Sequence, residues 1–432
     1  MGLGTEHIMQ YIWQWRLYGS PDKALTDGTP LRIVYPGRLN TASGPDFSDA
    51  RLTIGSVAWA GNVELHVRAS DWYRHGHDRD RAYDSVILHV VGESDTLVTR
   101  PDGSYIPQLL LPFSAETAQR FRILGEGGVT LRCASWLRDV PQPHRCDWLQ
   151  RMGMERLETK GERLLDYVRQ TGGDWNQALF IALSRALGFG LNSDPLERVG
   201  RSLPLGTAAR HADSVFQLEA LLMGQAGLLE GDSDDTYFKS LADEYSFLAH
   251  KYGLTPLERG IWKLSGIRPA GMPYRRLALL ARMLQGGTAL FSRIIEAKED
   301  PQALAALFNT DFTGSYWERH LCFGRPTSRT YRKAMSPAMT RILLVNVAAP
   351  LLYAYGRYTG HTPLEEEGHK LLMKLPPESN SITRSWAAQT GIKARDSFES
   401  QALLHLKNEY CDKFGCQRCR WGHRIIAQTT AG

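Results

Sequence analysis

At 432 residues the chain exceeds one ordinary hydrophobic core and is expected to divide into about two or three parts. Hydrophobic residues make up 43% and charged residues 22%, a composition that excludes wholesale disorder. The absence of an apolar run of about eighteen residues argues against a membrane span. The formal net charge of +5 is too mild to single out a polyanionic partner, so any nucleic-acid partner has to be argued from particular residues. The opening residues lack the basic-then-apolar order of a secretory signal, and six cysteines in so long a chain do not make a disulfide framework. A reducing, cytoplasmic location is expected.

In chain order, Glu6 to Tyr18 carries Ile8, Tyr11, Ile12 and Trp15 at helical spacing and predicts an amphipathic helix closed by Gly19 to Asp22. The period then shortens. Leu31–Tyr35, Ala50–Ile54, Val57–Val67 and Val86–Val91 read as strands separated by glycines, with a hairpin turning at Gly55-Ser56. Val86–Val91 is almost continuously apolar, as a strand buried on both faces is. Beyond residue 115 the signals are helical: Trp148–Arg169, Trp175–Leu187, Ser214–Leu229, Thr236–Tyr252, Arg275–Leu284 and Ala338–Tyr355. Arg156 and Lys160, interleaved with Glu155, Glu158 and Glu162, read as a solvated, salt-bridged face, and Arg275-Arg276 as a surface pair opening a helix.

The densest chemistry lies between Gly44 and His89. Asp46 sits at a turn before a strand, and Glu64 and His66 lie two apart on one face of the next long strand. Adjacent antiparallel strands bring such positions together. Two carboxylates so placed, with the Leu65 carbonyl between the side chains as a third oxygen, suit Mg²⁺, which takes few protein ligands. A neighbouring imidazole, His66 or one of His75 and His77, is suited to position or deprotonate the attacking water. The competing structural reading has Asp46 capping a turn, Glu64 pairing with Arg68 or a cross-strand neighbour, and His89 as a hydrogen-bonded core residue.

Pro45-Asp46, a hairpin, then Glu64-Leu65-His66 resembles the motif of the PD-(D/E)XK nuclease superfamily, in which His66 stands in the place of Lys. Trp72 followed by His75-Gly76-His77-Asp78 is similar to a stretch of the very-short-patch mismatch endonucleases, members of that superfamily. The resemblance implies a restriction-endonuclease-like mixed sheet and a metal-dependent nuclease acting on DNA or RNA. It implies Asp46 and Glu64 as metal-holding acids and His66, His75 or His77 as proton carriers. A neutral His cannot supply the fixed charge of Lys, which also admits a non-catalytic nucleic-acid- or protein-binding scaffold. A hydrolase using a transition metal on His66, His75, His77 and Asp78 is the third reading. Over nearly its whole length the chain also resembles an uncharacterised prokaryotic family, with landmarks at Gly44–Phe47, Gly61–Tyr83, Arg268-Pro269, Asn346–Pro350 and the terminal cysteines.

Those cysteines, Cys411, Cys416 and Cys419, have the spacing C-x₄-C-x₂-C of thiolates converging on one metal. The fourth ligand is open: His423 favours zinc, Cys133 or Cys146 favours an iron–sulfur cluster, and Cys322 is a further candidate. The expected architecture is α+β. An N-terminal mixed-sheet domain covers residues 1–115 and a helical domain residues 116–405. A cysteine tail, residues 406–432, packs on the helical part.

Overall fold

The computed structural model describes residues 5–40, 43–100, 102–125, 131–264, 267, 271–287, 289–332 and 335–427; the Arg268-Pro269 landmark lies outside them. The chain resolves into two compact units: Met1–Leu149 with Ser381–Lys393 and Leu404–Gly432, and Gln150–Asn380 with Ala394–Leu403. The divisions expected at 115 and 405 are therefore displaced, because the cysteine-bearing tail groups with the sheet.

The first unit opens with helix α1 (Thr5–Gln14), which buries Ile8, Met9, Tyr11, Ile12 and Trp13. It ends earlier than the periodicity suggests because Arg16 takes a left-handed backbone (φ 54°). Seven strands follow: β1 (Asp22–Ala24), β2 (Pro30–Tyr35), β3 (Arg38–Leu39), β4 (Phe47–Ile54), β5 (Val57–Arg68), β6 (Val86–Glu93) and β7 (Gln108–Leu110). The sheet runs β1-β2-β4-β5-β6-β7, with β3 on β4. It is mixed: β1 through β5 pair antiparallel, whereas β5–β6 and β6–β7 pair parallel. Ile54 faces Val57 across the expected Gly55-Ser56 turn. The parallel step requires a crossover, supplied by the short helix α2 (Asp71–Arg74) and two 3-10 turns.

β6 is flanked on both sides, and its first six residues are all buried. Val86, Leu88 and Val90 are fully enclosed, each contributing roughly 1.5–3 kcal/mol. Trp72 from the crossover packs with Val86, Val98 and Ile106 as a small second core. β1, β3 and β7 are too short for a period to be legible in sequence.

The second unit is helical around one large core. Trp175–Leu187 and Thr236–Tyr252 begin and end where their periodicity predicts, and each opens on an aspartate cap: Asp174 accepts from the amides of Asn176 and Gln177, and Asp235 from that of Phe238. Two surface expectations fail here. Lys160 is half-buried and donates to the Asn346 side-chain oxygen (2.8 Å), within a π-helical turn at Leu344–Ala348; desolvation holds its pKa well below that of an ordinary lysine. Arg275 and Arg276 are buried, Arg275 donating to the Trp317 carbonyl (2.6 Å) and lying over the Phe312 ring. Long aliphatic stems let these cations follow an apolar face, which charge pattern alone does not reveal. By length and composition the helical stretch Pro337–Thr359 is long and apolar enough to cross a membrane. Its Leu343, Leu344, Val345, Val347, Leu351 and Leu352 are buried in the core.

Candidate metal centre

The site is built where β4, β5 and the crossover meet. A bulge shifts the β4–β5 register between Phe47 and Ala50, and Asp49 within it has φ 59°. Phe47 pairs with Val63, so the preceding Asp46 comes to Glu64. The Asp46 amide donates to Glu64 Oε2 (2.9 Å), and the Leu65 amide donates to Asp46 Oδ2 (3.1 Å). Gln10 of α1 donates to Asp46 Oδ1 (2.8 Å). Glu64 thus holds the Asp46 backbone and Asp46 that of Leu65, and the remaining Glu64 oxygen, Oε1, turns toward imidazoles.

Parallel pairing sets Glu64 beside His89, with His66 two residues on along the same face. His66 Nδ1 lies 2.8 Å from His89 Nε2, and His66 Nε2 lies 3.2 Å from His75 Nδ1. Glu64 Oε1 is 3.7 Å from His66 Nε2 and 3.4 Å from His77 Nε2. Gly76, between His75 and His77, takes φ 77°, a reversal that a side chain would strain and that lets both neighbours face His66. Trp72 is buried edge-on to His66 and His77, and Tyr83 stacks on His77 at 3.7 Å. The donor nitrogens of His66, His75 and His77 all lie within 4.8 Å of one another. His66 is sealed, His77 half-buried and His75 exposed, so the cluster opens to solvent on the His75 side.

Burial, then the Asp46 charge, drives the Glu64 carboxyl well above the usual carboxylate range; burial, then Glu6, raises Asp46. Burial and the neighbouring imidazoles push His66 down to about 2, and burial pushes His89 down to about 3 and lowers His77. The Glu64–His66 and Glu64–His77 contacts are therefore not ion pairs, because these rings are neutral. If His66 Nε2 is free to accept, its proton sits on Nδ1 and is donated to His89. The His89 proton then lies on its own Nδ1, which is buried with no hydrogen-bond partner.

Three imidazole nitrogens and a carboxylate oxygen suit a divalent transition metal better than Mg²⁺. Bonds of about 2.0–2.1 Å place tetrahedral donors about 3.4 Å apart, the scale of the contacts around Glu64 Oε1 and His66 Nε2. Of the residues singled out in sequence, His66, His75 and His77 converge, and Glu64 joins them at His66 and His77. Asp46 stands beside them, engaged by Gln10 and Leu65, and Leu65 contributes its amide to Asp46. Asp78 turns to Arg79, and Arg68 pairs with Glu93 rather than Glu64. Gln10 and Tyr83 escaped the sequence reading. Only the one-turn spacing of Gln10 from Glu6 on the opening helix hinted at the first.

Elsewhere in this unit, Cys411, Cys416 and Cys419 line one cavity with Cys133. Cys146 is exposed, Cys322 belongs to the helical unit, and His423 Nδ1 lies 3.0 Å from the Tyr11 hydroxyl. A family model described as "Protein of unknown function (DUF2851)" matches residues 6–381. No curated protein and no solved structure matches the chain.

Proposed function

Because the chain belongs to that family of unknown function, its activity has to be argued from the site, and we propose a metal-dependent phosphodiesterase acting on DNA or RNA. The observation that carries the reading is the convergence of the His66, His75 and His77 nitrogens, with Glu64 Oε1 beside those of His66 and His77. The order of elements supports the substrate class. A helix precedes antiparallel strands, of which β2, β4 and β5 are the long ones, then a crossover and the parallel strand β6, with Pro45-Asp46 entering β4 and Glu64-x-His66 inside β5. That is the order expected of a restriction-endonuclease-like core.

Glu64 and the three imidazoles would hold a divalent transition-metal ion; Mg²⁺ on Asp46 and Glu64 alone is the less suited assignment. When bound, the ion supplies Lewis-acid stabilisation of charge developing on the phosphodiester. The chain does the rest. His66, proton-free at Nε2, is fit to be a ligand where the nuclease motif has Lys. His89 orients it, as outer-shell partners of metal-binding histidines do. Asp46, raised above ordinary carboxylate basicity, is suited to accept a proton from the attacking water. Arg74, Arg79 and Arg81, exposed on the same crossover, offer positive charge to a phosphate backbone.

The test is nicking of supercoiled DNA and cleavage of single-stranded RNA with Mn²⁺, Zn²⁺, Mg²⁺ or chelator. Wild type should cleave with Mn²⁺, and Asp46→Ala and Glu64→Gln should lose about two orders of magnitude or more. Equal cleavage by wild type and both variants, or no hydrolysis of any phosphodiester with any of these ions, overturns the reading.

A further inference from the structure

Four of the six cysteines gather at one place that the proposed hydrolytic chemistry does not use. Cys411 ends a π-helical turn (Leu406–Cys411), and the chain reverses through Phe414 in a left-handed conformation (φ 56°). A 3-10 turn, Gly415–Gln417, carries Cys416, and Cys419 immediately precedes the helix Arg420–Ala427. The crossing is close: a Cβ on Gly422 would lie 2.2 Å from the Cys416 carbonyl oxygen, a contact that only glycine avoids. The fourth thiol, Cys133, comes from far upstream. It is 8% exposed, as are Cys416 and Cys419 within a point, and all four line a single cavity walled by Trp386, Leu406 and Trp421. All four are free thiols.

We infer that Cys133, Cys411, Cys416 and Cys419 are the thiolate ligands of an iron–sulfur cluster. Three observations favour a cluster over a single zinc ion. The ligand set is all sulfur, since His423, the nitrogen ligand nearest in sequence, is engaged with Tyr11. Four thiolates are the usual complement of a [2Fe–2S] or [4Fe–4S] centre. The sulfurs are also spread out. Zinc bonds of about 2.3 Å would draw tetrahedral sulfurs to about 3.8 Å from one another. Among the described residues the set of three or more metal-ligating groups with donor atoms all within 4.8 Å is the histidine trio, so no three of these sulfurs meet that spacing. A cluster several atoms across spans such a gap.

The surroundings supply what clustered thiolates need. Arg132, next to Cys133, sets Nη1 3.6 Å from Cys416 Sγ and donates through Nη2 to the Cys411 carbonyl (3.1 Å). Its guanidinium lies over the Phe414 ring at 4.2 Å. The backbone amides of Trp421 and Gly422 donate to Cys419. A cation and aligned N–H groups offset the negative charge of a cysteine-ligated cluster in a site otherwise apolar. The cluster would fasten the segment after Leu131 to the chain's C-terminal tail, closing a loop of most of the protein.

The test is independent of any hydrolytic activity. The full-length chain is purified without oxygen from iron-supplemented cells, and its iron, zinc and acid-labile sulfide are measured beside the visible spectrum. Expected are a brown protein with iron and sulfide in about equal amounts, two or four of each per chain, and a visible band bleached by dithionite. Cys133→Ser should lose most of the iron and the colour, whereas Cys146→Ser should keep both. One zinc per chain with no sulfide overturns the inference. So does a cluster retained at full occupancy in Cys133→Ser. Should Cys133→Ser fail to fold, the wild-type metal and sulfide content decides alone.

Discussion

Glu64→Gln isolates the charge at the centre of the histidine cluster. In the metal-free protein burial and Asp46 keep this carboxyl largely protonated at neutral pH. Gln is its neutral isostere and can still accept the Asp46 amide hydrogen bond, so the metal-free variant should unfold close to wild type. With Mn²⁺ the two separate. An ion that binds only the folded state stabilises it by RT ln(1 + [M]/Kd), about 2.7 kcal/mol at a hundredfold excess over Kd. Loss of the anionic oxygen among four donors should weaken binding at least as much as loss of an outer-shell partner, up to about a hundredfold. At the same Mn²⁺ concentration the variant then gains only about 0.4 kcal/mol. At about 2–4 °C per kcal/mol for a unit of this size, wild type should show a Tm rise of roughly 5–10 °C and the variant about 1 °C. Thermal unfolding at pH 7 with and without Mn²⁺ reads the difference; Mn²⁺ is chosen because thiolates bind it poorly. A full shift in Glu64→Gln, or none in wild type with Mn²⁺, Co²⁺ or Zn²⁺, refutes the assignment of Glu64 Oε1 as a ligand.

The same carboxyl predicts the pH dependence. Its proton must leave for a cation to bind, so affinity for Mn²⁺, measured by calorimetry, should rise by up to about tenfold per pH unit between pH 5 and 8; a flat profile contradicts it. His75→Ala and His66→Ala should both abolish the metal-induced Tm shift, but only the second should destabilise the metal-free protein. His75 is exposed, whereas removing His66 strands buried His89, at a cost of about 1–3 kcal/mol in denaturant unfolding. In the helical unit, burial raises the Glu219 carboxyl to about 7 even though Trp317 and Tyr237 donate to it. Its stabilising contribution is whole below the unfolded pKa near 4.5 and is lost as pH rises through 7. Glu219→Gln should therefore gain on wild type between pH 5 and 8 by about 3 kcal/mol, and a pH-independent difference would rule the account out.

Local features were legible wherever a short-range rule decides the backbone. Trp175–Leu187 and Thr236–Tyr252 could be read to the residue because an aspartate cap opens each and a periodic apolar face fills it. The hairpin at Gly55-Ser56 and the buried run Val86–Val91 followed from strand period and turn chemistry. The proximity of Asp46 to Glu64 follows from that hairpin once the bulge at Asp49 is allowed for. What escaped depends on partners distant in sequence. Which of the expected imidazoles Glu64 meets, and that Arg68 goes to Glu93, depends on the parallel register with β6 and the reversal at Gly76. Cys133 and Cys146 were equal candidates by type and separate only through burial. Lys160 looked solvated because its helix carries charges all around, yet one turn of that helix lies against the π-helical segment.

The cage of thiols takes its members from positions 133 and 411 to 419, whereas the histidine trio lies within residues 66–77. On a ribosome these two places mature at different moments. The imidazoles have all emerged while most of the polypeptide is still unwritten, and the earliest thiol then waits for nearly three hundred further codons before its companions exist. Until that late stage Cys133 is without the three thiols that share its cavity. An iron–sulfur cluster on these four thiols would therefore be assembled only once the chain has been made as far as Cys419.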